Sequence, residues 1–271
     1  MNSTTTSALL LCEIIDDIAV LTLNRPEALN ALGAFGDGHA IREVCDSLNQ
    51  QRQVRCAILT GAGRAFSAGG DLKAMRAGEG VFGGGGTSIR DNYRREIHVL
   101  SKALYGLEMP LIAAVNGPAI GLGCDVACLA DIRIASERAS FGVTFLKVGL
   151  IPGDGGAWLL QRVIGHSRAA EMLYTGEIVD ANTAAAVGLV SRVLSHESLL
   201  IEAMTLAKRV SAQPPHALRL AKSLLRQGRE SSYDAVMEMS AAAQALCHLT
   251  EDHREGVEAV LAKRPPVFHG K

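Results

Sequence analysis

Two short segments hold the residue types and spacing that could do chemistry. One is Arg64-Ala65-Phe66-Ser67-Ala68-Gly69-Gly70-Asp71-Leu72-Lys73, and the other is Asn116-Gly117-Pro118-Ala119-Ile120-Gly121-Leu122-Gly123-Cys124-Asp125. Each follows an apolar run, Cys56-Ala57-Ile58-Leu59 or Leu111-Ile112-Ala113-Ala114-Val115, so each reads as strand, glycine turn and helix with free backbone N–H groups at the turn. Two such turns facing each other could grip one oxygen anion. Other glycine and serine chemistries fail on spacing. Gly61-Ala62-Gly63-Arg64-Ala65-Phe66 lacks the third glycine of a dinucleotide fingerprint, no GxxxxGK[ST] string occurs, and Ser67 has Ala65 where a nucleophile elbow requires glycine. The eight histidines form no H-E-x-x-H pattern, and His248 and His253, five apart, fall off a common helical face. Hydride transfer, serine hydrolysis and zinc catalysis find no support.

Periodicity supplies the elements that must position these turns. Leu9 to Ile15 and Ile18 to Leu23, parted by Asp16-Asp17, predict an opening hairpin. Ile41, Val44, Cys45 and Leu48 make one apolar helical stripe, and Val54 to Thr60 resumes as a strand. The rhythm continues with a helix over Ile89 to Leu107, a strand over Leu111 to Val115, a helix over Gly123 to Ala130 and a strand over Ile132 to Ala135, which predicts an α/β core. Beyond Pro152, apart from a short run at Leu189 to Leu194, helices are expected over Gly156 to Ile164, Leu199 to Val210, Pro215 to Arg226, Tyr233 to His248 and Arg254 to Ala262. The glycine run Gly83 to Gly86, within Ala77 to Ser88, reads as a surface loop, with a flap over a substrate as the functional alternative.

At 271 residues with a formal charge of −1 and no basic stripe, the chain can bury a large core and is poorly suited to nucleic acid or an acidic membrane. Six cysteines without C-x-x-C spacing read as reduced and intracellular. The N-terminus shows no signal-peptide pattern, and no run approaches the roughly 20 apolar residues of a membrane helix. A soluble, cytoplasmic protein with a small-molecule substrate is expected.

The two turns resemble those of the crotonase superfamily, the enoyl-CoA hydratase/isomerase enzymes. The resemblance runs in order from Leu23-Asn24-Arg25-Pro26-Glu27-Ala28-Leu29-Asn30-Ala31-Leu32 through Gly149-Leu150-Ile151-Pro152-Gly153-Asp154-Gly155-Gly156 to Arg254-Glu255-Gly256-Val257 and Lys263-Arg264. It implies a crotonase-like spiral of ββα units over 1–195, carrying an acyl-CoA site, and a helical C-terminal segment over 196–271 that builds a homotrimer or a dimer of trimers. It implies no metal and no cofactor beyond the CoA thioester substrate. The N–H groups of Gly70 and Leu122 would form the oxyanion hole for a thioester enolate. Ala68 would contact the adenine and Lys73 the CoA phosphates, with Lys263 reaching the 3′-phosphate of a neighbouring subunit. Taken alone, Lys73 passes for a surface lysine and Lys263 for a cation at a helix C-terminus.

The carboxylates separate the family's reactions. A hydratase of this family positions water with two glutamates, and the aligned residues are Asp125 and Phe145, so one acid is shortened and the other replaced by an apolar wall of the acyl pocket. Family isomerases place one acid in the turn where Gly153 stands, with Asp154 one place later, a register found in the β-diketone hydrolase branch. Asp154 also suits a helix N-cap, and Asp125 suits a helix dipole. The favoured reading is a single-carboxylate proton shuttle by Asp154, as in double-bond isomerisation. Water addition with Asp125, β-diketone C–C hydrolysis and a non-catalytic acyl-CoA binder are the alternatives.

Overall fold

The computed structural model describes residues 4–6 and 9–271. Its strands are β1 (Thr4–Thr6), β2 (Leu10–Ile15), β3 (Ile18–Leu23), β4 (Cys56–Gly61), β5 (Leu111–Val115), β6 (Ala119–Ile120), β7 (Ile132–Ser136), β8 (Ser140–Gly142), β9 (Ile178–Asp180) and β10 (Val193–Leu194). The helices of the first half are α1 (Asp37–Gln50), α2 (Leu72–Ala77), α3 (Gly86–Arg95), α4 (Ile97–Tyr105) and α5 (Leu122–Leu129). Then come α6 (Gly156–Ile164), α7 (His166–Thr175), α8 (Ala181–Ala186), α9 (Leu199–Ser211), α10 (Pro215–Gln227), α11 (Tyr233–His248) and α12 (Glu251–Leu261).

The larger sheet runs β1-β2-β3-β4-β5-β7-β10 and the smaller β6-β8-β9. The hairpin β2–β3 turns at Asp16-Asp17 with Ile15 opposite Ile18, and β3, β4, β5, β7 and β10 then run parallel. Every residue of β4 and β5 is buried because both sheet faces are covered. Alternate side chains, Leu59, Ala113 and Val115, meet the α1 stripe Ile41, Val44, Cys45 and Leu48 in one cluster. Their neighbours Ile58, Ile112 and Ala114 join Ile134 and the α9 residues Leu199, Ala203 and Ala207 in another. Removing a buried leucine such as Leu199 from such a layer costs about 2–5 kcal/mol.

The expected helix over Ile89 to Leu107 is two helices. It breaks at Glu96, where α1 crosses so closely that a Cβ on Gly38 would overlap the Glu96 backbone, and Glu96 Oε2 accepts the Gly38 N–H at 3.1 Å. The glycine run is shorter as a loop than expected, since α3 already begins at Gly86. Of the run Leu189 to Leu194 only Val193 and Leu194 form a strand, while β9 escaped the sequence reading because its alternation spans three residues. His248 and His253 do meet, with Nδ1 and Nε2 3.0 Å apart, because the chain turns between α11 and α12. No helix among the described residues is long and apolar enough to cross a membrane.

Candidate active site

The first glycine turn is braced from beneath by two asparagines. Buried Asn30 donates to the carbonyls of Ala62 and Ala65, both at 2.9 Å, and accepts from the Arg25 N–H at 2.8 Å. Asn116 donates to the Gly63 carbonyl at 3.0 Å and accepts the Gly61 N–H at 3.1 Å. Ser67 completes the frame, donating to the Asn30 carbonyl at 2.8 Å and accepting the Gly69 N–H at 3.2 Å, so its hydroxyl is occupied in holding the turn.

The second turn is stitched directly to the first. The Ser67 N–H bonds the Pro118 carbonyl at 3.1 Å, and the Ile120 N–H bonds the Ser67 carbonyl at 3.0 Å. Gly123 rests on Ser67 so tightly that a Cβ there would overlap the Ser67 backbone. Gly69 has φ +80 and would carry any Cβ onto the Ile120 carbonyl, so glycine is required twice over. Gly121 adopts φ 56 and ψ −124, which glycine alone tolerates, and thereby starts α5 at Leu122. No protein acceptor takes the N–H of Gly70 or of Leu122 among the described residues. The arrangement presents two unpaired donors from adjacent turns, one of them opening a helix whose dipole favours negative charge.

Around these donors stand the other residues singled out from the sequence. Phe145 is half-buried, with its ring 3.8 Å from where a Gly121 side chain would begin, and so lines the donor site with apolar surface. Asp125, on α5, is 1% exposed and neither of its oxygens has a hydrogen-bond partner. Burial, then the charge of Asp154, pushes its carboxyl well above the usual range. Asp154 is 6% exposed and lies just before α6. Burial pushes its carboxyl up to about 7. No side-chain hydrogen bond caps α6, whose N-cap is Gly155, so Asp154 is not serving as the helix cap. Its turn is fixed instead from α4, with His98 Nε2 2.9 Å from the Gly153 carbonyl and Ser101 donating to the Asp154 carbonyl at 3.1 Å.

The CoA candidates lie further out. Ala68 is half-buried beside Gly69, and its N–H is taken by the Leu29 carbonyl at 2.9 Å. Lys73 is exposed in the first turn of α2, which Asp71 caps. Lys263 is exposed just past α12 with φ 53. Sequence reasoning missed Phe82 and Tyr93, whose rings meet edge to face at 6.3 Å. Phe82 lies 3.5 Å from the side-chain direction of Gly70 and Tyr93 3.2 Å from that of Gly153, so the pair walls the space between the donors and the carboxyls. The aromatic residues flanking the glycine run were the only signal for them. No group of three or more His, Cys, Asp or Glu suited to a metal occurs among the described residues.

A family model described as enoyl-CoA hydratase/isomerase matches residues 13–271. This chain belongs to the enoyl-CoA hydratase/isomerase family. It is 37% identical over 265 residues to the 1,2-epoxyphenylacetyl-CoA isomerase of Escherichia coli, covering 97% of this chain and 98% of the relative. It is 35% identical over 261 residues to the crotonyl-CoA hydratase of Syntrophomonas wolfei, covering 94% and 96%. The solved structure of an enoyl-CoA hydratase from Mycobacterium smegmatis superposes with a TM-score of 0.89 at 32% identity, covering 97% of this chain and all of that one. The protein is therefore an acyl-CoA enzyme of the hydratase/isomerase family with the crotonase fold. Relatives of both reaction types match it about equally well, so membership leaves the reaction to be argued from the site.

Proposed function

We propose that the enzyme binds an unsaturated acyl-CoA with its thioester oxygen between the N–H groups of Gly70 and Leu122, and shifts a double bond by means of Asp154. The carboxylate removes a proton from one acyl carbon, the two N–H groups stabilise the enolate oxygen, and the same proton returns to another carbon as the double bond moves. Preorganised donors of this kind are worth about 3 kcal/mol each to the transition state. The observation that carries the reading is the state of Asp154: buried, uncommitted to capping α6, and raised to about 7, where an acid both takes and gives a proton at neutral pH. Phe145 beside the donors favours excluding water.

A second reading has Asp125 adding water, as its place on α5 and the similarity to a crotonyl-CoA hydratase suggest. Assay of the protein against crotonyl-CoA and against 3-enoyl-CoA thioesters separates the two. Isomerisation of the 3-enoyl thioester with slow hydration of crotonyl-CoA supports the first reading, and rapid hydration supports the second.

In the same reading Ala68 and Lys73 hold the adenine and phosphates of CoA, and Lys263 serves the site of a neighbouring subunit. Exposed apolar residues on the last two helices, among them Tyr233, Leu246, Val260 and Leu261, support a trimer or dimer of trimers built by the 196–271 segment.

A further inference from the structure

Tyr93 presents a polar group for which the site as described has no use. It sits on α3, with its ring edge against Gly153 and against Phe82, so that it faces the space between the Gly70 turn and the Asp154 turn. Its hydroxyl has no hydrogen-bond partner among the described residues. The nearby Tyr105 hydroxyl is also unpartnered but is sealed inside protein, whereas that of Tyr93 is not sealed. An accessible phenol between the two turns that the proposed function assigns to the acyl thioester is placed to find its partner in that ligand.

The choice of partner is narrow. If the thioester carbonyl occupies the Gly70 and Leu122 donors, as the proposed function has it, that oxygen is already held by two backbone N–H groups. Asp154 lies near enough that its charge, after burial, raises the phenol, which keeps Tyr93 protonated and therefore a donor. Phe82 and Phe145 offer no acceptor, and Asp154, though near, makes no hydrogen bond with the phenol. What remains is an oxygen on the acyl group itself.

We propose that Tyr93 donates a hydrogen bond to an oxygen substituent, a hydroxyl, keto or epoxide oxygen, on the acyl group beyond the α-carbon, and so selects oxygenated acyl thioesters over plain ones. The inference rests on the acyl-thioester reading of the site. It makes Tyr93 a specificity-determining residue, with the proton transfer left to Asp154.

Equilibrium binding tests it without requiring turnover. Titrate the intact protein and its Tyr93→Phe variant with 3-hydroxybutyryl-CoA and with butyryl-CoA. The parent should bind the hydroxylated thioester about fivefold to tenfold more tightly, the usual worth of one hydrogen bond to a buried site. Tyr93→Phe should abolish that preference while leaving butyryl-CoA affinity unchanged, since the ring and its packing on Phe82 remain. Equal binding of the two thioesters by the parent, or a preference that survives in Tyr93→Phe, overturns the inference while leaving the acyl-thioester site intact. Failure of the parent to bind either thioester overturns the proposed function as well.

Discussion

The carboxyl of Asp125 lies directly against the backbone of Gly156, so close that a methyl group on Gly156 would overlap it, yet neither carboxyl oxygen has a hydrogen-bond partner. The first turn of α6 is thus shaped around an acid buried within α5. Replacing Gly156 with alanine drives a methyl into that carboxyl and should destabilise the fold by about 1–3 kcal/mol, as overpacking does. Asp125→Ala in the same chain should restore most of the loss. A denaturant double-mutant cycle reads the coupling, and simple additivity of the two changes would show that the contact is not tight.

The two acids also set a pH dependence. Burial holds Asp154 at about 7, far above the unfolded aspartate value of about 3.9. The folded chain therefore binds that proton more readily than the unfolded one. Its stabilising contribution is whole below about pH 4 and is lost as pH rises through 7, by on the order of a few kcal/mol. Asp125, raised by burial and then by Asp154, acts in the same direction. Melting temperature should fall between pH 5 and pH 8 more steeply in the parent than in Asp154→Asn. Parallel curves would mean that Asp154 is ionised throughout.

Lys73 and Lys263 make no side-chain hydrogen bond or ion pair among the described residues and stand exposed. Charge-assisted phosphate contacts contribute about 1.5–3 kcal/mol, so Lys73→Ala or Lys263→Ala should each weaken CoA binding by roughly tenfold or more. Calorimetry with free CoA measures this. Unchanged affinity in both variants would remove the two lysines from the phosphate contacts, and only a parent that fails to bind CoA would favour a β-diketone substrate.

Light scattering tests the assembly. Three or six copies are expected at micromolar concentration, and a monodisperse monomer would rule out a site shared through Lys263.

The frame of the molecule was legible because it follows local rules. Alternation gave the β2–β3 hairpin, the stripe from Ile41 to Leu48 gave α1, and the glycines at 69, 121 and 123 announced backbone positions that no other residue could fill. What stayed hidden depends on contacts distant in sequence. The break at Glu96 comes from Gly38 pressing on its backbone, the pressure of Gly156 on Asp125 joins two helices, and the approach of Tyr93 to Gly153 closes a wall across the site. Likewise, nothing in the string Pro152-Gly153-Asp154-Gly155 told a helix cap from a free acid. That choice needed the position of the α6 N-cap, which falls on Gly155.

The most direct measurement of the central claim is turnover by Asp154→Asn beside Asp125→Asn on whichever acyl thioester the parent turns over. Asparagine matches aspartate in shape but cannot carry the proton, so Asp154→Asn should fold normally and lose about 10²-fold or more in kcat. In the parent, kcat/KM should rise with pH through about 7, where Asp154 ionises, and Asp125→Asn should cost less than Asp154→Asn. Near-parental turnover by Asp154→Asn, with activity abolished in Asp125→Asn, would contradict the account and make Asp125 the acid of a one-carboxylate hydratase.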